Sequence, residues 1–171
     1  MTFPEIKKLQ NHFAGYLDKH PFLGEPESLY EAQNYILNLG GKRIRPIALL
    51  AALQAATGKY HDGLPAAWTF EIFHNFTLVH DDIMDKSPKR RGKPTVHKKY
   101  NVPSAILAGD NMLLGAYQHL ACYDDTKFRA LTNLLTKTGI YICEGQFLDM
   151  QFEDTTAVNE TNYLKMIELK T

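Results

Sequence analysis

The sequence predicts an all-α bundle, and three observations carry that expectation. Apolar residues recur every three or four positions through most of the chain; glycine and proline punctuate those runs; no segment alternates apolar with polar residues as a half-buried strand does. Internal repeats and low-complexity tracts are absent too.

The elements follow in order. Ile6, Leu9, Phe13 and Leu17 mark an amphipathic helix over Phe3 to Leu17, which the Pro21 to Pro26 stretch breaks. Leu29, Ala32, Ile36 and Leu39 mark a second over Ser28 to Leu39, stopped by Gly40-Gly41. The run Ile47 to Ala56 is apolar on nearly every face, so it is expected inside the bundle, with Thr57-Gly58 ending it. Pro65 suits the first turn of a helix from Leu64 to Met84. In that helix Phe70, Ile72, Phe73, Phe76, Leu78, Val79, Ile83 and Met84 predict burial on most sides.

Lys86 to Val102 lacks an apolar period and reads as a loop or a broken pair of turns. A helix then runs from Pro103-Ser104 to about Cys122. Another spans Asp125 to Phe152, supported by Phe128, Leu131, Leu134, Leu135, Ile140, Ile142 and Phe147; Asp154 to Asn159 is polar, and Glu160 to Leu169 reads as a last helix.

At 171 residues the chain has one domain's length, and its 19 basic and 19 acidic residues cancel. Neutrality argues against a protein that spreads positive charge along nucleic acid or anionic lipid, so anion binding must be local. The cysteines, Cys122 and Cys143, have no metal-type spacing, and the opening Met1-Thr2-Phe3-Pro4-Glu5 is not a basic-then-apolar leader. A reduced, cytoplasmic protein is the expectation. No stretch approaches the roughly 18 apolar residues of a membrane span.

Against that neutral background, Leu78-Val79-His80-Asp81-Asp82-Ile83-Met84-Asp85 places three carboxylates in an apolar helical pattern. Asp81 and Asp85 are i and i+4, one turn apart on one face, while Asp82 is rotated by about 100°. Like charges so placed repel unless a cation intervenes, and acidic residues at a helix C-terminus oppose its dipole. Magnesium, which takes one or two carboxylates plus water and phosphate oxygens, fits so sparse a pair. Asp81 and Asp85 are therefore the expected ligands and Asp82 a support. A surface helix end facing solvent is the plainer reading, and burial of the helix weighs against it.

Arg90-Arg91 follow closely enough to fold back over that face, and arginine matches phosphate bidentately. Lys42 and Arg45, three apart at a helix start, offer a second anion site. His74 lies two turns below Asp81 on the same face and reads either as a core histidine or as a phosphate donor; Glu71 can pair with it or with a basic group. Gln146 and Asp149, one turn apart, can wall a reactive centre or bond each other and a neighbouring helix end. Lys170 and Thr171 supply a cation and a hydroxyl.

GGKRIRP at 40 to 46, EIFHNFTLVHDDIMD at 71 to 85, RRGKPTVH at 90 to 97, AGD at 108 to 110, GQFLD at 145 to 149 and the final KT together resemble the trans-prenyl diphosphate synthases. The resemblance covers about Ser28 to Thr171. It implies an isoprenoid-synthase-type helical bundle that couples isopentenyl diphosphate to an allylic diphosphate such as dimethylallyl, geranyl or farnesyl diphosphate. By resemblance, Lys42, Arg45, His74 and Arg91 hold the isopentenyl donor. Asp81 and Asp85, assisted by Asp82, bind magnesium bridging the allylic diphosphate; Arg90, Lys170 and Thr171 contact that diphosphate, and Gln146 lies near the reactive carbons.

Phe76, five positions before Asp81, resembles the floor that limits product length in the family, although on an ideal helix Thr77 projects nearer the metal face. A C15 to C20 product is expected. The resemblance also implies a homodimer and a second aspartate-rich motif not found in residues 1–171, so those residues are read as the N-terminal portion of one helical synthase domain, incomplete at the C-terminus and with weak or absent turnover alone. A class I terpene cyclase would not need a second diphosphate site at Lys42, Arg45 and Arg91. A non-catalytic or dimerisation fragment of the same fold is the other alternative.

Overall fold

Thr2 opens the first helix: Glu5 turns its carboxylate back to accept from the Thr2 backbone N–H and hydroxyl, satisfying donors that a helix start leaves free. The structure, a computed structural model, describes residues 2–153 and 157–170. It is helical nearly throughout, and the chain divides into two compact units between Cys122 and Tyr123.

In the first unit, α1 (Phe3–Lys19) buries Leu9 and Phe13. The turn after it is pinned by Asn34, whose side chain accepts from the Phe22 N–H at 3.0 Å and donates to the Phe22 carbonyl at 2.7 Å. Asn34 belongs to α2 (Glu27–Asn38), which buries Ala32, Gln33, Ile36 and Leu37. A left-handed stretch then leads into α3 (Ile44–Thr57). The expectation that α3 lies inside the bundle is corrected: Pro46, Ile47 and Leu50 are buried, while Ile44 and four of its alanines, Ala48, Ala52, Ala55 and Ala56, face solvent. Alanine made the run look apolar all round, but it loses little by exposure.

α4 (Leu64–Met84) has the expected bounds and follows a single 3-10 turn at His61–Gly63. Its partner is α6 (Val102–His119), and the small residues Ala105, Ala108, Gly109 and Ala116 on α6 are all buried, which lets the two helices approach closely. Ile72, Phe73 and Val79 of α4 and Met112 of α6 fill the core; each such side chain contributes roughly 1.5–3 kcal/mol by burial. Thr69 donates to the Ala116 carbonyl at 3.3 Å, and Gln33 donates to the Ala108 carbonyl at 3.2 Å, fastening α2 to the same helix. Phe70, Phe76, Leu78 and Ile83 are only half-buried and Met84 is exposed, so burial of α4 is one-sided toward its C-terminus.

Between α4 and α6 the expected loop contains regular structure. Lys89–Arg90 (β1) and Lys93–Pro94 (β2) pair antiparallel, with Arg90 opposite Lys93, and α5 (Val96–Lys99) follows. The intervening Arg91 and Gly92 both have positive φ, 52° and 78°, the conformation of a two-residue type I′ hairpin. Tyr35 ties this hairpin to α2 by donating to the Pro94 carbonyl at 2.7 Å. A 3-10 turn at Leu120–Cys122 ends the unit.

The second unit pairs α7 (Asp125–Glu153) with α8 (Glu160–Lys170). Leu135 and Gly145 of α7 and Met166 and Leu169 of α8 are buried. Phe128, Leu134, Ile140 and Phe147, counted among the supports of the long helix, are exposed instead. Part of the polar link expected at Asp154 to Asn159 lies outside the described residues. Cys122 and Cys143 are free thiols, and among the described residues no helix is long and apolar enough to cross a membrane.

Candidate active site

The end of α4 is built as a reversal. Lys86 adopts a left-handed conformation, φ 52°, its N–H donates to the Ile83 carbonyl at 3.1 Å, and the Ser87 N–H donates to the Asp82 carbonyl at 3.0 Å. These are the paired bonds of a Schellman cap, with lysine where glycine is usual. Thr95, wholly buried, continues the turn by donating from its hydroxyl to the Ser87 carbonyl at 2.8 Å. The chain thus doubles back over the last turn of α4, carrying the hairpin with it.

That fold-back brings Arg90 onto the aspartates. Its Nε and Nη2 donate to Asp82 Oδ2 and Oδ1 at 2.8 and 3.0 Å, and Nη2 lies 3.9 Å from Asp81 Oδ2. Asp82 is 2% exposed and its charge is met by this two-pronged contact; Asp81 is half-buried and Asp85, the residue that caps the helix, is exposed. Asp82 therefore faces inward as a holder of Arg90, while Asp81 and Asp85 occupy consecutive turns toward solvent, joined by the Asp85 N–H bond to the Asp81 carbonyl at 2.9 Å.

A second basic group forms beside His74. Arg45 Nη1 lies 3.3 Å from His74 Nε2, a contact that requires the imidazole nitrogen to accept. Burial, then the charge of Arg45, then Arg91 and Arg90, push the His74 pKa down to about 4, with Glu71 opposing, so the ring is neutral at physiological pH. Arg91 is likewise lowered, by burial first and by the nearby Arg43 and Arg90. Its guanidinium lies against Gly41: a Cβ there would stand 2.8 Å from Nη2, so the close approach needs glycine. Lys42 is exposed at the edge of this group.

Glu71, buried on α4, takes the second of its two expected options and pairs with a base, Arg43. Asn75, also fully buried, donates to Glu71 Oε1 and to the Glu71 carbonyl, each at 2.8 Å. The motif spacing does not single out Arg43: the cost of a carboxylate on an apolar helix face demands a cation but does not say which one.

In the second unit, Asp149 pairs with Lys170. Gly145 permits this: a Cβ there would stand 2.4 Å from the Lys170 backbone nitrogen, so α7 and α8 touch at backbone distance. Gln146 Nε2 is buried and has no hydrogen-bond partner among the described residues, Asp149 included. Thr171 lies outside the described residues.

Of the two product-length candidates, Phe76 packs edge-on against Phe73 and His80, with ring centroids 5.6 and 5.0 Å away, while the Thr77 hydroxyl turns back to donate to the His74 carbonyl at 2.8 Å. His80 in turn lies against Gly109, where a Cβ would meet its Nε2 at 2.4 Å. A cavity of about 560 Å³ opens elsewhere, beside His20, Phe22, Trp68 and His119, and none of the candidate residues lines it. Among the described residues no three His, Cys, Asp or Glu side chains gather as a metal cage. A divalent ion at Asp81 and Asp85 would thus complete its shell with water and anion oxygens, which is how magnesium is commonly held.

Fold and site together define an all-α protein whose longest buried helix presents aspartates at its end and is overlaid by two arginine-bearing loops. The sequence profile described as polyprenyl synthetase matches residues 26–171. The chain is 44% identical over 169 residues, 98% of its length, to the geranylgeranyl diphosphate synthase of Methanosarcina mazei, of which it covers 52%. A crystal structure of a geranylgeranyl pyrophosphate synthase superposes with a TM-score of 0.95 at 44% identity, covering all of this chain and 52% of that one. The geranylgeranyl pyrophosphate synthetase of Geoglobus acetivorans superposes with a TM-score of 0.91 at 41% identity, covering 97% of this chain and 55% of that one. The chain belongs to the polyprenyl synthetase family of trans-isoprenyl diphosphate synthases. It spans about half the length of the curated relatives it matches.

Proposed function

We propose that the whole protein condenses isopentenyl diphosphate head-to-tail with an allylic diphosphate, dimethylallyl, geranyl or farnesyl, to give a prenyl diphosphate of C15 to C20. The observation that carries this reading is the pairing of two charge groups along α4: Asp81 with Arg90 at its end, one turn before exposed Asp85, and Arg45 and Arg91 beside a neutral His74 two turns below, with exposed Lys42 next to Gly41 in the chain. One site suits a diphosphate bridged by a cation; the other suits a diphosphate without one. Two diphosphates are what coupling needs and what cyclisation does not.

In this reading Asp81 and Asp85 hold magnesium, whose charge stabilises the leaving diphosphate. Asp82 keeps Arg90 aimed at the same anion, and Lys42, Arg45, His74 and Arg91 hold the donor. His74, being neutral, donates one hydrogen bond instead of adding charge. By resemblance to the family, Lys170 and Thr171 are assigned to the allylic diphosphate and Gln146 to the neighbourhood of the reacting carbons. Half-buried Phe70, Phe76 and Leu78 with buried Phe73 keep water from the cation formed on ionisation. Phe76, with Thr77 beside it, limits the product, and the names of the relatives favour C20. We read residues 1–171 as the N-terminal portion of one synthase domain, in keeping with a chain that covers 52% of the Methanosarcina mazei synthase, and we place the protein in the cytoplasm as a homodimer.

The test is incubation of the full-length protein with magnesium, isopentenyl diphosphate and each allylic diphosphate, with products identified by mass. An elongated diphosphate is expected. No elongation with any pairing, or cyclic hydrocarbons in its place, overturns the proposal. Asp81→Ala should abolish turnover in a folded enzyme.

A further inference from the structure

We propose that Arg43 and Glu71 form a positioning strut that sets the geometry of the donor-diphosphate site without touching the anion; this rests on the function proposed above. Glu71 is 2% exposed and lies on α4 one turn from His74. Arg43 reaches it from the loop before α3 with Nη1, while Nη2 donates to the Leu37 carbonyl at 2.6 Å. Both ends of the guanidinium are thereby committed inside the protein. Asn75 donates to the same carboxylate oxygen, Oε1, at 2.8 Å.

The backbone explains what the strut holds. Arg43 has φ 49° and ψ 34°, a left-handed conformation that side chains other than glycine rarely adopt, and it follows Gly40 and Gly41 at φ 77° and 147°. A run of such residues does not hold itself, so the bonds made by the Arg43 side chain fix it. On one side of Arg43 is Gly41, the platform for the Arg91 guanidinium, and Lys42; on the other, two residues on, is Arg45 beside His74. Arg43 is also the residue from which α3 starts, so its placement sets the direction of the first turn that carries Arg45. All four donor-site residues are thus referenced to one buried carboxylate on α4.

The experiment uses the full-length protein and Arg43→Gln, Glu71→Gln and the double variant, with Lys42→Gln for comparison. Glu71→Gln keeps an acceptor for both partners, so it preserves the fold if Arg43→Gln does not. Steady-state kinetics should show the KM for isopentenyl diphosphate raised roughly 10-fold to 100-fold in each single variant, as expected for small misplacement of binding groups. The allylic KM should stay near wild type. The double variant should lose no more than either single one, because the two residues act as a unit, whereas adding Lys42→Gln should lose further.

Calorimetry with inorganic pyrophosphate without metal gives a readout independent of turnover: wild type should bind and the strut variants should bind more weakly by the same factor. Unchanged donor KM and pyrophosphate binding in folded variants overturn the strut. So do full additivity of Arg43→Gln and Glu71→Gln, which would make Arg43 a direct contact, and a rise in both KM values together. If wild type binds pyrophosphate but does not elongate, the proposed function fails while the binding comparison still decides the strut; if it does neither, both fall.

Discussion

At the scale of single residues, the three aspartates of α4 separate into different physical roles. Asp82 is buried and Arg90 grips both of its carboxylate oxygens, so Asp82→Ala removes that two-pronged contact and leaves Arg90 the longer 3.9 Å approach to Asp81. Losing one partner of a buried pair costs about 3 kcal/mol, toward the lower end because Arg90 is partly exposed, and a urea melt of the variant should show it. Asp85→Ala removes an exposed like charge one turn from Asp81 and should leave the melt unchanged or slightly improved while turnover collapses. Stability and activity are therefore expected to move in opposite ranks across positions three residues apart. Two histidines add a pH dependence. His74 and His119 are both depressed to about 4, each by burial first; His119 then by His20, and His74 by Arg45. Between pH 6.5 and about 4 the unfolded chain binds protons that the folded one does not, so stability is full above 6.5 and falls as pH drops through that window. Thermal melts from pH 7 to 4 should decline, and the imidazole signals of both residues should titrate well below those of an exposed histidine.

At the scale of elements, the contact between α7 and α8 rests on Gly145. An added Cβ would stand 2.4 Å from the Lys170 nitrogen and 2.8 Å from the Leu169 carbonyl carbon, both backbone atoms that cannot rotate away. Gly145→Ala should therefore push α8 from α7 at a cost of about 1–3 kcal/mol, read as faster amide hydrogen exchange in α8 and a lower melting temperature. That contact was not legible in GQFLD, because spacing tells which face a glycine is on and nothing about what approaches it. The bounds of α4 were legible, because Pro65 marks its start and the apolar period runs unbroken to its end. The β1–β2 hairpin was not: Lys89, Arg90, Lys93 and Pro94 have neither β-branching nor alternation, and its turn uses Arg91 where asparagine or aspartate is usual. The acidic and basic clusters could be read from the sequence as clusters. Their partners could not, since Glu71 finds Arg43 across 28 positions and Asp82 finds Arg90 only once a lysine-capped helix end turns the chain back.

At the scale of the molecule, the distribution of apolar surface is what distinguishes this chain from a self-contained bundle. On α6, Leu107 and Leu114 are 60% and 68% exposed and stand two turns apart on one face, opposite the alanines that meet α4. On α7, Leu134, Ile140 and Phe147 are similarly open. Large aliphatic and aromatic groups left in water at helical spacing are unfavourable, and contiguous patches of them drive association. The 171-residue chain should accordingly sediment with concentration-dependent mass and enhance the fluorescence of an apolar dye. Replacing Leu107 and Leu114 together by Glu should lower the association constant and the dye signal. Neither leucine contributes to the core, so the melting free energy should change by no more than about 0.5 kcal/mol. If the double variant associates as before, the α6 face does not drive association, and the same pair of measurements on Ile140→Glu with Phe147→Glu, two turns apart on one face, would assign it to α7.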